Sequence, residues 1–384
     1  MHVSNNNKQN DSKPEEIPFF ALPDHQVVDR LLPDISDRLI TIEKALDKIH
    51  ASPAWVPVAI NPEAGGMIYF ADLGQYSYQE WQHIFSVQHL AEQAAIKDYF
   101  ATPAGLLDIP DLGLDAIQPR GMIFHVSRCG STVFGKALAR AEDIGIINQP
   151  APLQYGFWSY ISNEWNSRAD AEIGNNPLNT TRFRNIVQLL CQARIPEEKT
   201  LFIKFISWNS LYFHFIHSAF PEVPCLFMYR NPIEVVASVA RETTAVLTAK
   251  PTRQAEFLTG LERGPIDQFD DVTYLAICYA RYFETMLDAG SGLGLLDYEN
   301  VKKENLATIL SSAFSFYPEP GQLEQMQAQF DFYSKDDTDQ TSFTADKHEK
   351  LVALEETQRK NIEYYCRELY ERLNRSEKNL FPEI

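Results

Sequence analysis

The chain has 384 residues and a formal charge of −18, with a pI near 4.9. At ~150 residues per domain this is two or three units, or one large α/β domain with an appendage. Hydrophobic residues at 45% and aromatics at 12% exclude wholesale disorder; the acidity excludes holding nucleic acid by bulk charge, though not one local anion site.

The polar start MHVSNNNKQNDSKPEE lacks the apolar core of a signal peptide. Residues 1–18 read as a disordered tail. A helical pattern follows at 31–50, with Leu32, Ile35, Leu39, Ile42 and Leu46 at three- and four-residue spacing. Trp55–Ile60 and Met67–Gly74, joined by NPEAGG, predict a hairpin. A helix is expected over 77–100. Trp55, Tyr69, Tyr76, Tyr78 and Trp81 suit either a ligand platform or, more simply, a core. The Pro-, Gly- and Asp-rich stretch 102–120 marks a boundary. This gives a smaller α+β N-terminal accessory unit over 19–118.

Beyond it the texture changes. GMIFHV (121–126), LFIKFI (201–206), PCLFMYR (224–230) and GLLDYEN (294–300) are short apolar runs separated by helical segments. Strands alternating with helices predict a mostly parallel sheet covered by helices on both faces, over 119–384. Residues 329–348 read as a loop or lid and 349–373 as a closing helix. The five scattered cysteines contain no CxxC pair, so neither a disulfide scaffold nor a zinc site is expected. No run reaches the ~18 apolar residues of a membrane span. A cytoplasmic protein is the expectation, with no membrane or nucleic-acid partner; a homo-oligomer is left open.

The chemistry concentrates in two turns. In HVSRCGSTVFGKALARA an apolar strand runs through Ser-Arg-Cys-Gly-Ser-Thr straight into a helix. Gly130 lets backbone N–H groups point inward, Ser131 and Thr132 add hydroxyls at a helix N-terminus, and Arg128 supplies a fixed charge. Such a turn suits phosphate or sulfate. GSTVFGKA also fits GxxxxGK[ST] apart from Ala137, which has no hydroxyl for Mg²⁺. In PCLFMYRNPIEVVASVARE, a strand ends in Arg230 and a helix carries Ser238 eight residues on, with Arg241 on the same face. Pro232 is tolerated in the first helical turn.

These two turns, in this order, resemble those of sulfotransferases that use 3′-phosphoadenosine 5′-phosphosulfate (PAPS). SRCGST is similar to the family's 5′-phosphosulfate loop, and Arg230 with Ser238 to its 3′-phosphate site. GLGLLDYENVKKENL resembles a later family strand. The likeness covers roughly 121–310 and implies a P-loop-like fold. It also implies PAPS as donor and adenosine 3′,5′-bisphosphate as product, with no metal required. Sulfuryl would pass to a hydroxyl or amine of a small-molecule or peptide acceptor. Arg128, Cys129, Gly130, Ser131, Thr132, Arg230 and Ser238 would then bind the donor, and Arg128 and Lys204 would serve catalysis.

The chain departs from the family at the general base. Ile206 stands where one branch has His, and Gln149 where others have Glu. Gln149 is therefore expected only to bind the acceptor, since an amide takes no proton at neutral pH. His125, His214, His217 and Glu242 are the replacements considered, and none is assigned. Two other readings stand beside this one, a Mg–ATP phosphotransferase and a catalytically silent nucleotide-binding scaffold. Residues 121–150 hold three bases against two acids, and 199–241 four against two. The segments expected to cradle a polyanion are locally positive inside an acidic chain.

Overall fold

The computed structural model describes residues 22–166, 170–241, 244–332 and 354–382. The expected N-terminal tail, most of the 329–348 loop and Glu242 lie outside these residues.

The predicted helix over 31–50 is two helices, α1 (Asp24–Leu31) and α2 (Ile42–Ala51). Pro33 cannot continue α1, and Asp34 takes a left-handed φ of 60°. Thr41 restarts the helix by accepting the Lys44 N–H. Leu39, expected to be buried, is 57% exposed and bridges to Ala101 instead. β1 (Trp55–Asn61) and β2 (Met67–Asp72) form the expected antiparallel hairpin. Only His83–Glu92 of the expected 77–100 helix is helical (α3), because Tyr99–Pro103 joins β2 as a third strand, β3. Trp55, Tyr69 and Tyr78 are buried, so these aromatics are core rather than platform.

The four predicted strands of the second part are present as β4 (Gly121–His125), β6 (Thr200–Lys204), β7 (Cys225–Tyr229) and β8 (Leu293–Asp297). A fifth, β5 (Ile144–Asn148), was not expected. All five pair in parallel in the order β5-β6-β4-β7-β8. Every residue of β4, β5 and β7 is buried, which requires cover on both faces. Helices α4 (Ser131–Leu138), α5 (Gly156–Ile161), α6 (Pro177–Leu190), α7 (Phe213–Ala219), α8 (Pro232–Val239), α9 (Asp271–Asp288), α10 (Leu306–Phe314) and α11 (Glu356–Asn374) flank the sheets. Of the expected 349–373 closing helix, residues 349–353 lie outside the described residues; the described helix begins at Glu356, with Glu355 and Gln358 forming its capping box. Among the described residues no helix is long and apolar enough to cross a membrane.

The two parts share one buried hydrophobic cluster. Polar ties reinforce the join. Arg182 on α6 grips Asp108 through Nε at 2.6 Å and Nη2 at 3.3 Å, and Arg194 donates to the Tyr76 carbonyl at 2.9 Å. Asn148, ending the edge strand β5, donates to the Glu80 carbonyl at 3.2 Å. The segment before α3 thereby covers an edge that would otherwise expose unpaired backbone.

Asp24 makes a further buried tie. It is 3% exposed, and its carboxylate accepts the Ile60 N–H at 3.1 Å and the Gly156 N–H at 3.0 Å. Burial pushes its carboxyl up to about 7, against backbone hydrogen bonds that lower it. Between pH ~4 and ~7 the folded state therefore holds a proton that the unfolded state has lost. This contribution to stability is complete below pH ~4 and is lost as pH rises through ~7. Urea unfolding should show wild type losing on the order of 4 kcal/mol relative to Asp24→Asn between pH 4 and pH 8. A difference that stays constant over that range contradicts the assignment.

Candidate functional site

A parallel sheet brings the C-terminal ends of its strands to one edge. Here that edge carries His125, Asn148, Lys204, Tyr229 and Asp297 in strand order β4, β5, β6, β7, β8. From β4 the chain continues through α4 toward β5 on one side; from β7 it continues to β8 on the other. The connections diverge between β4 and β7, and such a switch point opens a crevice. The two turns singled out in the sequence, 127–132 and 230–232, flank it.

The first turn is tightly wound. Arg128 and Gly130 both take left-handed φ, 60° and 81°. Glycine is needed at 130 for this reason and because a Cβ there would lie 3.1 Å from Val301 Cγ1 and 3.3 Å from the Tyr298 ring. Helix α4 begins directly at Ser131, with Phe134 N–H bonding the Gly130 carbonyl at 3.1 Å. The N–H groups of its first turn have no intrahelical partner by geometry and face the N-terminal, positive end of the dipole. Ser131 is buried, whereas Arg128 and Thr132 are half-buried. Cys129 is fully buried and donates to the Val126 carbonyl at 2.9 Å. Burial pushes its thiol up to about 11, so Cys129 can serve an anion through its backbone and not as a thiolate. Tyr279 on α9 lies beside Ser127, its hydroxyl raised above the usual range by burial.

This geometry disfavours the GxxxxGK alternative. A triphosphate loop needs non-helical residues between its glycine and its lysine. Here 131–138 is helix, and Gly135 sits against Asn148 and Lys204. Lys136 is buried at 5% exposure in the last turn of α4.

The second turn reaches the first. Asn231 caps α8 by accepting the Ile233 N–H at 3.0 Å, with Pro232 at the first helical position. Arg230 donates from Nη1 to the Arg128 carbonyl at 2.9 Å, across 102 residues of sequence. Its Nε donates to Glu234 Oε2 at 2.8 Å, and its Nη2 to the same oxygen. Its guanidinium carbon stands 4.1 Å over the Tyr298 ring. Ser238 lies two turns along α8 and is buried. Arg241 is exposed and lines a separate pocket of about 360 Å³ with Asp271, Val272, Leu354 and Gln358.

Lys204 ends β6 and is fully buried, in register with Ile123 on one side and Asn148 on the other. Its Cε lies 3.4 Å from the Cβ position of Gly135, beneath α4. Its charge adds to burial in lowering His125, on the next strand, to about 3. His125 is buried, with Nδ1 against the Val126 carbonyl at 2.9 Å and Nε2 without a hydrogen-bond partner among the described residues. Such an imidazole is neutral at physiological pH and a poor base.

Gln149 follows β5 in a left-handed conformation, φ 48°. Its N–H bonds the Lys204 carbonyl at 2.6 Å, and its carbonyl accepts Gln154 Nε2 at 3.1 Å. Its side chain is buried, and Oε1 has no hydrogen-bond partner among the described residues. Two residues on, Ala151 N–H donates to His83 Nδ1 at 3.2 Å. This assigns Nδ1 as acceptor; burial and Arg194 lower His83 to about 3. Ile206 is buried. His214 pairs with Asp288 at 3.7 Å, and His217 stacks on Phe213 and lies against Gly292, just before the N-terminal end of β8.

Sequence reasoning brought Arg128, Gly130, Ser131, Thr132, Arg230 and Lys204 to this edge, and it missed Glu234, Tyr298 and Tyr279. Glu234 was legible as the i+4 partner of Arg230. Tyr298 falls in the GLLDYEN run, which the sequence marks as a strand and not as part of the site, and nothing local marks Tyr279.

The fold and site together define an α/β protein with a five-stranded parallel sheet and a glycine turn at a helix N-terminus beside its switch point. No protein-family model and no curated protein sequence matches the chain. Among the described residues no cluster of three His, Cys, Asp or Glu side chains could hold a metal ion.

Proposed function

We propose that the chain is a PAPS-dependent sulfotransferase of P-loop-like architecture, acting on a hydroxyl or amine of a small-molecule or peptide acceptor. The observation that carries this reading is the bond from Arg230 to the Arg128 carbonyl. It unites, at one crevice, a turn suited to a terminal phosphosulfate and a turn suited to a second phosphate. PAPS carries anionic groups at two separate positions, its 3′-phosphate and its 5′-phosphosulfate, which calls for two such turns side by side.

The residues fit such a donor. Gly130 keeps the turn free of a Cβ where Tyr298 and Val301 close in, and the first N–H groups of α4 favour an anion. Arg128, Gly130, Ser131 and Thr132, with the Cys129 backbone, would hold the phosphosulfate; Arg230 and Ser238 would hold the 3′-phosphate. PAPS supplies an activated sulfuryl group on a phosphate leaving group. Arg128 would offset charge that develops on that leaving group, and Lys204 would add positive potential from beneath α4, where burial limits screening. Gln149 would orient the acceptor through Oε1. Neither Gln149, His125 nor His83 takes up a proton at neutral pH, so the reading assigns the acceptor's proton to none of them.

Thermal unfolding tests the reading directly. Adenosine 3′,5′-bisphosphate at a hundredfold excess over its Kd should stabilise the protein by about 2.7 kcal/mol, raising Tm by a few degrees, whereas Mg–ATP should not. Stabilisation by Mg–ATP alone overturns the donor assignment. Stabilisation by the bisphosphate with no turnover over a broad acceptor panel favours a silent nucleotide-binding scaffold.

A further inference from the structure

We infer that Glu234 and Tyr298 are positioning residues that hold Arg230 as a brace for the Arg128–Gly130 turn, coupling the two anion sites into one. The inference rests on the donor reading above and deepens it.

Arg128 has a Cβ yet adopts φ 60°, a conformation unfavourable for an L-residue. Something outside the turn must favour it. The Arg230 Nη1 bond to the Arg128 carbonyl does so. Because the 128–129 peptide is planar and trans, fixing that carbonyl toward β7 directs the Cys129 N–H to the opposite side. The orientation of a donor in the turn is thereby tied to the orientation of a side chain on another strand.

Arg230 in turn does not choose its own position. Its guanidinium is rigid and planar, so fixing one edge aims the other. Glu234 fixes the edge formed by Nε and Nη2 through a single oxygen, and the pair is only 17% and 20% exposed. The Tyr298 ring supports the guanidinium face at 4.1 Å. The same ring lies 3.3 Å from where a Gly130 Cβ would be. Three of the five N–H donors of Arg230 are thus committed to the brace, and its supporting ring also packs on the turn's glycine.

A carboxylate beside an anion site is repulsive, which gives the inference a test of sign. Direct Coulomb repulsion predicts that Glu234→Gln tightens anion binding; loss of the brace predicts that it weakens binding. Adenosine 5′-monophosphate probes the first turn alone, and adenosine 3′,5′-bisphosphate probes both. Calorimetric titration should show Glu234→Gln weakening the monophosphate on the order of tenfold, and the bisphosphate at least as much. Tyr298→Leu, which changes no charge, should weaken the monophosphate similarly, and the double variant should fall short of the product of the two effects. It also gives a second reading of the brace should Glu234→Gln fold poorly. Unchanged or tighter monophosphate binding in Glu234→Gln, with the bisphosphate still bound by wild type, overturns the coupling and leaves the donor reading standing. Failure of wild type to bind either nucleotide overturns the donor reading and the coupling with it.

Discussion

Replacing Arg128 by glycine is expected to separate stability from function. The guanidinium is lost, and on the proposed sulfotransferase reading the transfer rate should fall by about 10²–10³, the cost of removing one preorganised charge at a developing oxyanion. The stabilisation conferred by adenosine 3′,5′-bisphosphate should fall with it. The ligand-free protein should behave differently. Arg128 sits at φ 60°, where glycine avoids a strain of about 1–2 kcal/mol but adds roughly 0.5–1 kcal/mol of unfolded-state entropy. The two nearly offset, and the carbonyl that accepts from Arg230 belongs to the backbone and is retained. Urea denaturation should therefore place Arg128→Gly within about 1 kcal/mol of wild type. Retained transfer would remove Arg128 from the leaving group. A loss of several kcal/mol would make the side chain a structural residue instead.

Gly156→Ala is expected to have the opposite profile. Helix α5 starts at Gly156, whose N–H bonds the buried Asp24 carboxylate at 3.0 Å. A Cβ at this position would fall on the Ile60 carbonyl oxygen and 2.7 Å from its carbon. Both are backbone atoms of a paired strand and cannot swing aside as a side-chain tip can. The variant should lose about 3 kcal/mol or more in urea denaturation, through overpacking and displacement of the Asp24 bond. A loss below about 1 kcal/mol would show that α5 and β1 separate easily. The atoms nearest a Gly156 Cβ all belong to Ile60 and none to the Arg128 turn, so any nucleotide affinity of the folded protein should change little.

The strands that sequence reading found share a local signature: an apolar run closed by a turn, as in GMIFHV and PCLFMYR. β5 was missed because IGIIN carries a glycine that reads as a break. That glycine has a tertiary cause, since a Cβ on Gly145 would collide with the Glu198 carboxyl and Leu201. The overlong first helix failed for a local reason that the apolar spacing hid, namely Pro33 followed by the left-handed Asp34. The candidate site shows the same division. Arg128, Gly130, Ser131 and Thr132 stand next to one another in sequence, so the chemistry of their turn is readable from residue types. The burial of Lys204 beneath Gly135, the neutral state of His125 and the strained backbone of Gln149 depend on neighbours from other strands.

The acidic sequence by itself determined that any anion binding is local, and it determined two strand-turn-helix units suited to it. Those properties follow from short-range rules: backbone freedom at glycine, exposed N–H groups at helix starts, fixed charge on arginine. Only the tertiary structure decided that the two units meet. Strand order β5-β6-β4-β7-β8 makes β4 and β7 neighbours, and adjacency in a parallel sheet is set by crossover packing rather than by any segment's own propensity. That adjacency carries Arg230 to the Arg128 carbonyl and sets Glu234 and Tyr298 around it.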